Sequence, residues 1–250
     1  MTSQPHADSC TQNQTTLDMN VRINKYLAER GVCSRRQADA LIDEGKVIVD
    51  GKIAEKGMTV TGEETIQVSG KNISSVRPKL QYLAFHKPVG IMTSVDPNGY
   101  DTIATFLRLK ERLFPIGRLD VASSGLLILT NDGNLSEAIT HPRGNHEKEY
   151  VVTVDKPITD EDLGTMERGM TILGSKTKPT QTKRIASNQF HMILTEGRNR
   201  QIRRMCEKLG YEVQALTRIR VMNIRLGTLP PGHTRPLTQQ EISELKRALL

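Results

Sequence analysis

Cysteine is scarce: the 250 residues hold only Cys10, Cys33 and Cys206. They are far apart and odd in number, so they offer no disulfide framework and point to a reducing compartment. No Cys-x-x-Cys and no close histidine pair supplies a metal site. Neither a phosphate-cradling glycine loop nor a cluster of metal-binding carboxylates is visible, which argues against a nucleotide hydrolase. No apolar run approaches the roughly 18 residues of a membrane helix. Residues 1–20 are polar, contain no Lys or Arg and lack an apolar core, so they read as neither signal nor transit peptide. Residues 1–19 are expected to be a disordered tail, and the protein to be cytoplasmic. There is no internal repeat.

What is present is a folded composition with a basic excess. Thirty-five Lys and Arg against 28 Asp and Glu leave a formal charge of +7, which favours an anionic partner. Nucleic acid leads, because the arginines cluster.

One stretch draws the rest together: Gly117-Arg118-Leu119-Asp120-Val121-Ala122-Ser123-Ser124-Gly125-Leu126-Leu127-Ile128-Leu129-Thr130-Asn131-Asp132-Gly133. The run Leu126 to Leu129 is continuous rather than alternating, which suits a short strand buried on both faces and closed by the turn signal that follows. Arg118 and Asp120 alone read as a surface ion pair of little energy. A carboxylate six residues before a buried strand, however, stands at the mouth of a rigid core.

Ahead of it, residues 21–68 read as two short helices and a hairpin. Ile23, Tyr26 and Leu27 fall at helical spacing before Gly31, and Ser34 with Gln37 forms a capping box for a second helix carrying Ala38, Leu41 and Ile42. Arg35 and Arg36 sit in its first turn, the end where the helix dipole disfavours cations, so a phosphate contact explains them better than helix stability does. Asp50-Gly51 between Val47-Ile48-Val49 and Lys52-Ile53-Ala54 is a strong hairpin signal. This segment resembles the S4 RNA-binding domain through Arg22-Ile23-Asn24-Lys25-Tyr26-Leu27, Cys33-Ser34-Arg35-Arg36 and Val47-x-Val49-Asp50-Gly51. The resemblance implies RNA contacts by Arg22, Lys25, Arg35 and Arg36.

The polar stretch 69–79 reads as a linker. Beyond it, Leu80 to Phe85 is a strand candidate, and His86-Lys87-Pro88-Val89-Gly90 is a turn that exposes Lys87. Thr102 to Arg108 is a short helix with Ile103, Phe106 and Leu107 inward, and Leu135 to Ile139 another. Tyr150 opens a β-branched strand, where a lone tyrosine ordinarily packs in the core. Thr159 caps a helix, and His191 to Thr195 is a strand. In Glu196 to Gly210, Ile202, Met205, Cys206 and Leu209 form one apolar helix face while Arg198, Arg200, Arg203 and Arg204 crowd its start. Such crowding repels and opposes the dipole, so carboxylates or ligand phosphates must neutralise it. Val213 to Leu216 is a strand, residues 218–226 interleave apolar and basic positions, and Thr238 with Glu241 caps a last helix.

Four motifs in order resemble the RsuA-type bacterial pseudouridine synthases, which carry an S4 domain in front. They are Phe85-His86-Lys87-Pro88-x-Gly90, the stretch from Gly117 to Gly133, Lys148-x-Tyr150, and Glu196-Gly197-x-x-Arg200-Gln201-Ile202-Arg203-Arg204-Met205. The resemblance implies an α+β chain in which an S4 domain over residues 20–68 precedes a catalytic domain over residues 80–250. That domain would hold a curved, mixed but mainly antiparallel sheet flanked by helices.

It also implies that Asp120 is the catalytic aspartate, Tyr150 stacks on the target base and Arg203 pairs with the carboxylate. RNA contacts fall to Lys87, Arg118, Lys148, Arg198, Arg200 and Arg204. No metal and no organic cofactor is implied, and a monomer is expected. His146 to Tyr150, continuing through Val154 to Asp160, is most similar to the RluF branch. That branch implies 23S ribosomal RNA near the peptidyl transferase centre as partner, and a tRNA anticodon uridine as a second one. Some members carry a long basic C-terminal extension, whereas this sequence stops at Leu250, which weakens the expectation of substrate. An RluB-, RluE- or RsuA-like site and a non-catalytic RNA-binding protein are the alternatives.

Overall fold

The structure, a computed structural model, describes residues 20–95, 101–109 and 111–250. The tail expected over residues 1–19, with Cys10, lies outside the described residues. The chain divides after Pro78 into two compact units.

In the first unit β1 (Val21–Arg22) leads into α1 (Ile23–Glu29), and α2 (Arg35–Asp43) follows. Ile23, Tyr26 and Leu27 are buried on α1, and Ala38 and Ile42 on α2. The capping box at Ser34 is formed: its hydroxyl accepts the Gln37 amide at 3.1 Å, and the Gln37 side chain accepts the Ser34 amide at 2.9 Å. Strands β2 (Val47–Val49) and β3 (Lys52–Ile53) make the hairpin, with Asp50 at φ 46° and Gly51 at φ 79°. Positive φ at both positions is what a two-residue turn of this kind requires. β4 (Thr59–Val60) pairs with β1, β5 (Ile66–Val68) with β2, and β6 (Lys71–Asn72) with β5. The stretch read as a linker from residue 69 therefore begins as an exposed edge strand, since its backbone finds a ladder partner in β5.

The second unit contains β7 (Tyr82–Lys87), α3 (Ile103–Leu107), β8 (Phe114–Ile116), β9 (Ser124–Thr130), α4 (Gly133–Thr140), β10 (Lys148–Val154) and α5 (Asp160–Glu167). There follow β11 (Thr171–Ile172), β12 (Ser175–Lys176), β13 (Gln181–Ala186), β14 (Gln189–Leu194), α6 (Gln201–Lys208), β15 (Val213–Val221), β16 (Ile224–Arg225), β17 (Thr234–Pro236) and α7 (Gln239–Arg247). Nine of these strands share one sheet in the order β13-β14-β10-β15-β9-β7-β17, with β8 beside β9 and β16 beside β15. The pair β9 and β15 is parallel, and the other ladders of this sheet are antiparallel. No described helix is long and apolar enough to cross a membrane.

Strand β9 is the keel. Leu126 and Ile128 enter one core layer with Tyr82, Ile139 and Leu245, while Leu127 and Leu129 enter another with Phe85, Ile103 and Leu119. All four are at most 1% exposed, and burying each is worth about 1.5–3 kcal/mol. At its start Gly125 holds φ 109°, and a Cβ there would lie 2.2 Å from the Arg218 carbonyl oxygen. Only glycine admits this approach of β9 to β15.

Two expectations shift. Phe106 is 44% exposed rather than inward: α3 has only five residues, and its ring meets Phe85 in a tilted pair with centroids 6.1 Å apart. The strand expected over Val213 to Leu216 runs on to Val221, which draws Arg218 into the sheet.

Candidate active site

The loop ahead of β9 holds Asp120 by its neighbours. Leu119 is buried in the core, its amide donates to Thr93 Oγ1 at 3.2 Å, and its carbonyl accepts the same hydroxyl at 2.7 Å. The Val121 carbonyl accepts the Gly90 amide at 2.9 Å, and the Asp120 carbonyl accepts the Ser123 amide at 3.0 Å. The backbone on both sides of the aspartate is thus pinned to the turn after β7 and to its own loop. Its carboxylate, by contrast, has no hydrogen bond or ion pair among the described residues. Half-buried, it lines a cavity of about 260 Å³ together with Arg118, Ser123, Tyr150, Arg200 and Ile202. Ser123 is buried and its hydroxyl has no partner among the described residues.

Tyr150 reaches the same cavity from β10, where it is half-buried and packs against two core layers. It is therefore both a packing residue and a wall of the site. The sheet brings it there because β10 and β9 flank the same neighbour, β15.

Arg203 stands on the first turn of α6. Its Nη2 donates to the Ala122 carbonyl at 2.8 Å and its Nη1 to the Val213 carbonyl at 3.0 Å, while Nε is buried without a partner. Burial pushes its pKa down, the Arg200 charge adds to that, and the Asp120 charge opposes both. The pairing expected between Arg203 and Asp120 does not take the form of an ion pair in this structure. The guanidinium's terminal nitrogens are taken by two backbone carbonyls, one of them two residues beyond the aspartate, and the carboxylate acts on it through space.

Lys87 requires correction. Expected as an exposed RNA contact, it is 0% exposed. Strand β7 continues to this residue and turns the side chain inward, where Nζ donates to the carbonyls of Pro88 at 2.8 Å and Ile91 at 2.7 Å. Burial pushes its pKa down to about 8, against the pull of the Asp120 charge. It is a buried cation that feels the Asp120 charge and has no exposed surface to offer RNA.

The remaining basic residues divide. Arg118 and Arg200 are exposed on the cavity wall. Arg198 is spent inside the protein, on the Glu196 carboxylate at 3.1 Å and on Ser175 and the Lys176 carbonyl. Arg204 holds the Asn199 carbonyl and side chain at 3.1 and 3.2 Å. Lys148 lies on β10 with Nζ on the His146 carbonyl at 2.9 Å. In the first unit Arg22, Arg35 and Arg36 are exposed, and Lys25 lies 3.6 Å from Glu29. Arg218 was not singled out by sequence. It is 3% exposed, with Nε on the Leu126 carbonyl at 2.7 Å. Its only signal was its place in an alternating run.

A carboxylate with both oxygens unengaged, in a partly closed cavity beside an aromatic ring and ringed by cations, is equipped for nucleophilic or basic chemistry on a flat, anionic-backboned ligand.

Comparison with known proteins gives the family. A family model described as RNA pseudouridylate synthase matches residues 81–208, and the S4 domain model matches residues 21–66. The dual-specificity RNA pseudouridine synthase RluF of Escherichia coli O6:H1 is 46% identical over 229 residues, covering 91% of this chain and 79% of that protein. The ribosomal large subunit pseudouridine synthase B of Bacillus subtilis is 38% identical over 234 residues, covering 90% and 95%. A crystal structure of a pseudouridylate synthase superposes with a TM-score of 0.66 at 32% identity, over 90% of this chain and 99% of the other. An S4 domain in front, a mixed sheet behind it and a matched isomerase family lead to one conclusion: the chain belongs to the RNA pseudouridylate synthases of the RsuA type, isomerases that act on RNA.

Proposed function

We propose that this enzyme isomerises one uridine of 23S ribosomal RNA near the peptidyl transferase centre, with Asp120 as its nucleophile or base. The observation that carries the reading is the unengaged Asp120 carboxylate in one cavity with the Tyr150 ring. In the reaction the N1–C1′ bond breaks, the uracil turns, and a C5–C1′ bond forms. The proton lost from C5 is balanced by the one gained at N1, so no co-reactant is needed.

A paired uridine is out of reach in its stack and must be extruded, at a cost of a few kcal/mol. Stacking on Tyr150, worth about 1–3 kcal/mol, offsets part of it. Arg118 and Arg200 at the rim are placed to meet phosphates. Arg203 serves the aspartate by fixing the Ala122 carbonyl and by its charge, and the buried Lys87 adds a second charge through space. The exposed arginines of the first unit give a sequence-independent, salt-sensitive hold on the RNA.

The choice of large-subunit ribosomal RNA is supported by the name of the Bacillus subtilis relative, a ribosomal large subunit pseudouridine synthase. The dual specificity in the RluF relative's name leaves room for a second RNA, for which the motif resemblance offers a tRNA anticodon uridine as the second reading. Mapping pseudouridines across ribosomal and transfer RNA, in cells with and without the gene, tests both. Loss of one 23S modification is expected. Loss confined to tRNA favours the second reading, and loss confined to the small ribosomal subunit's RNA overturns both.

A further inference from the structure

A second cavity, of about 520 Å³, shares Arg118 and Tyr150 with the first but does not include Asp120. Five cations line it, Arg118, Lys148, Lys178, Arg198 and Arg218, against one carboxylate, Glu196. That carboxylate is already engaged: one oxygen holds Arg198 Nε at 3.1 Å, and the other accepts the Lys178 amide at 3.0 Å and the Gln201 side chain at 2.8 Å. Lys148 and Arg218 consequently have no acidic partner among the described residues.

Their situation is costly without a ligand. Arg218 is 3% exposed; among the described residues its Nε and Nη1 reach only the carbonyls of Leu126 and Arg118, at 2.7 and 3.4 Å, and Nη2 has no partner. Lys148 donates only to the His146 carbonyl, at 2.9 Å. Burial, and after it the Arg218 charge, holds Lys148 below the usual lysine range. Two like charges in a desolvated pocket, each with donors unused, are not selected by folding stability. An anion in the cavity relieves both.

We propose that this cavity is the subsite for the nucleotide adjoining the target uridine, whose phosphodiester neutralises Lys148 and Arg218. The proposal rests on reading the Asp120 cavity as the uridine site. Continuity supports RNA as the source of the anion, since a strand leaving the first cavity past Tyr150 and Arg118 enters the second. Lys148 is the contact. Arg218 is a positioning residue: its charge reaches the phosphate, and it fixes the carbonyl of Arg118, whose side chain walls both cavities. His141 and His146 also line this cavity.

The test is a cycle between protein and RNA. A stem-loop carrying the mapped uridine is prepared with an uncharged methylphosphonate at the phosphate on its 5′ side or, separately, its 3′ side. One of the two is expected to weaken binding to the wild-type enzyme about tenfold. Lys148→Met should weaken binding of the unmodified stem-loop by a similar factor and be less sensitive to that methylphosphonate, the remaining penalty being the share of the Arg218 charge, and Lys148→Arg should restore both the affinity and the sensitivity. The slope of log Kd against log salt should fall by about one contact in Lys148→Met.

Equal methylphosphonate penalties in wild type and variant at both positions would overturn the proposal. Thermal unfolding checks the variant's fold, and Lys148→Gln takes its place in the cycle if Met is not tolerated. Asp120→Asn separates the two readings. If that variant still isomerises the RNA, the uridine-site assignment fails, whereas the coupling between Lys148 and the phosphate is read from binding alone.

Discussion

Replacing Lys87 by methionine probes the buried charge that Asp120 acts on through space. The ammonium is wholly buried, and burial pushes its pKa from 10.5 down to about 8. At about 1.4 kcal/mol per unit this corresponds to roughly 3 kcal/mol of penalty for keeping the charged form folded. The penalty is fully present below pH 8, where folded and unfolded chains are both protonated. Between pH 8 and 10.5 the unfolded chain still holds a proton that the folded protein has released, so this group makes stability rise with pH.

Methionine is close to lysine in length and escapes the penalty, but it forfeits two charged hydrogen bonds, to Pro88 and Ile91, each worth about 1.5–3 kcal/mol. At neutral pH the variant should therefore be slightly less stable than wild type. The slope is the sharper readout. Urea unfolding at about pH 7 and again at about pH 10 should show the difference between wild type and Lys87→Met moving by roughly 2–3 kcal/mol in favour of the wild type. A difference that stays flat across that range would refute the buried-cation reasoning, as would a move in the opposite direction.

Gly125→Ala should destabilise the catalytic unit by about 3 kcal/mol or more in the same denaturation assay. It combines a positive φ with a Cβ that would stand 2.2 Å from the Arg218 carbonyl. A loss under about 1 kcal/mol would mean that β9 and β15 are not packed this closely. Arg203→Lys keeps the charge but cannot reach both the Ala122 and Val213 carbonyls, so kcat should fall about tenfold or more with RNA affinity nearly unchanged. A change in affinity alone would make Arg203 an RNA contact.

Local signals carried much of the fold. Ser34, Thr159 and Thr238 each accept the amide three residues on, as their spacing with Gln37, Asp162 and Glu241 implied. The continuous run Leu126 to Leu129 is buried on both faces because its alternate residues feed two separate core layers. What escaped was decided by distant chain. Lys87 reads as exposed because lysine prefers water and a Pro-x-Gly turn follows; its burial depends on two carbonyls of that turn folding back over the side chain. Arg218 looked like one cation in an alternating run. Its burial follows from the parallel contact of β15 with β9, which no spacing encodes. At the site, Asp120 and Tyr150 were legible through motif resemblance, and the structure lines one cavity with both. The form of the Arg203 interaction was not legible, because backbone carbonyls leave no mark in a sequence.

The central claim is that the Asp120 carboxylate performs the chemistry. It is tested most directly by single-turnover conversion of the mapped stem-loop by Asp120→Asn at saturating enzyme. The amide keeps the shape of the side chain and removes its nucleophilic and basic oxygen. RNA affinity within about twofold of wild type, with pseudouridine formation slower by at least about 10³-fold, is the predicted result. Conversion within tenfold of the wild-type rate would contradict it.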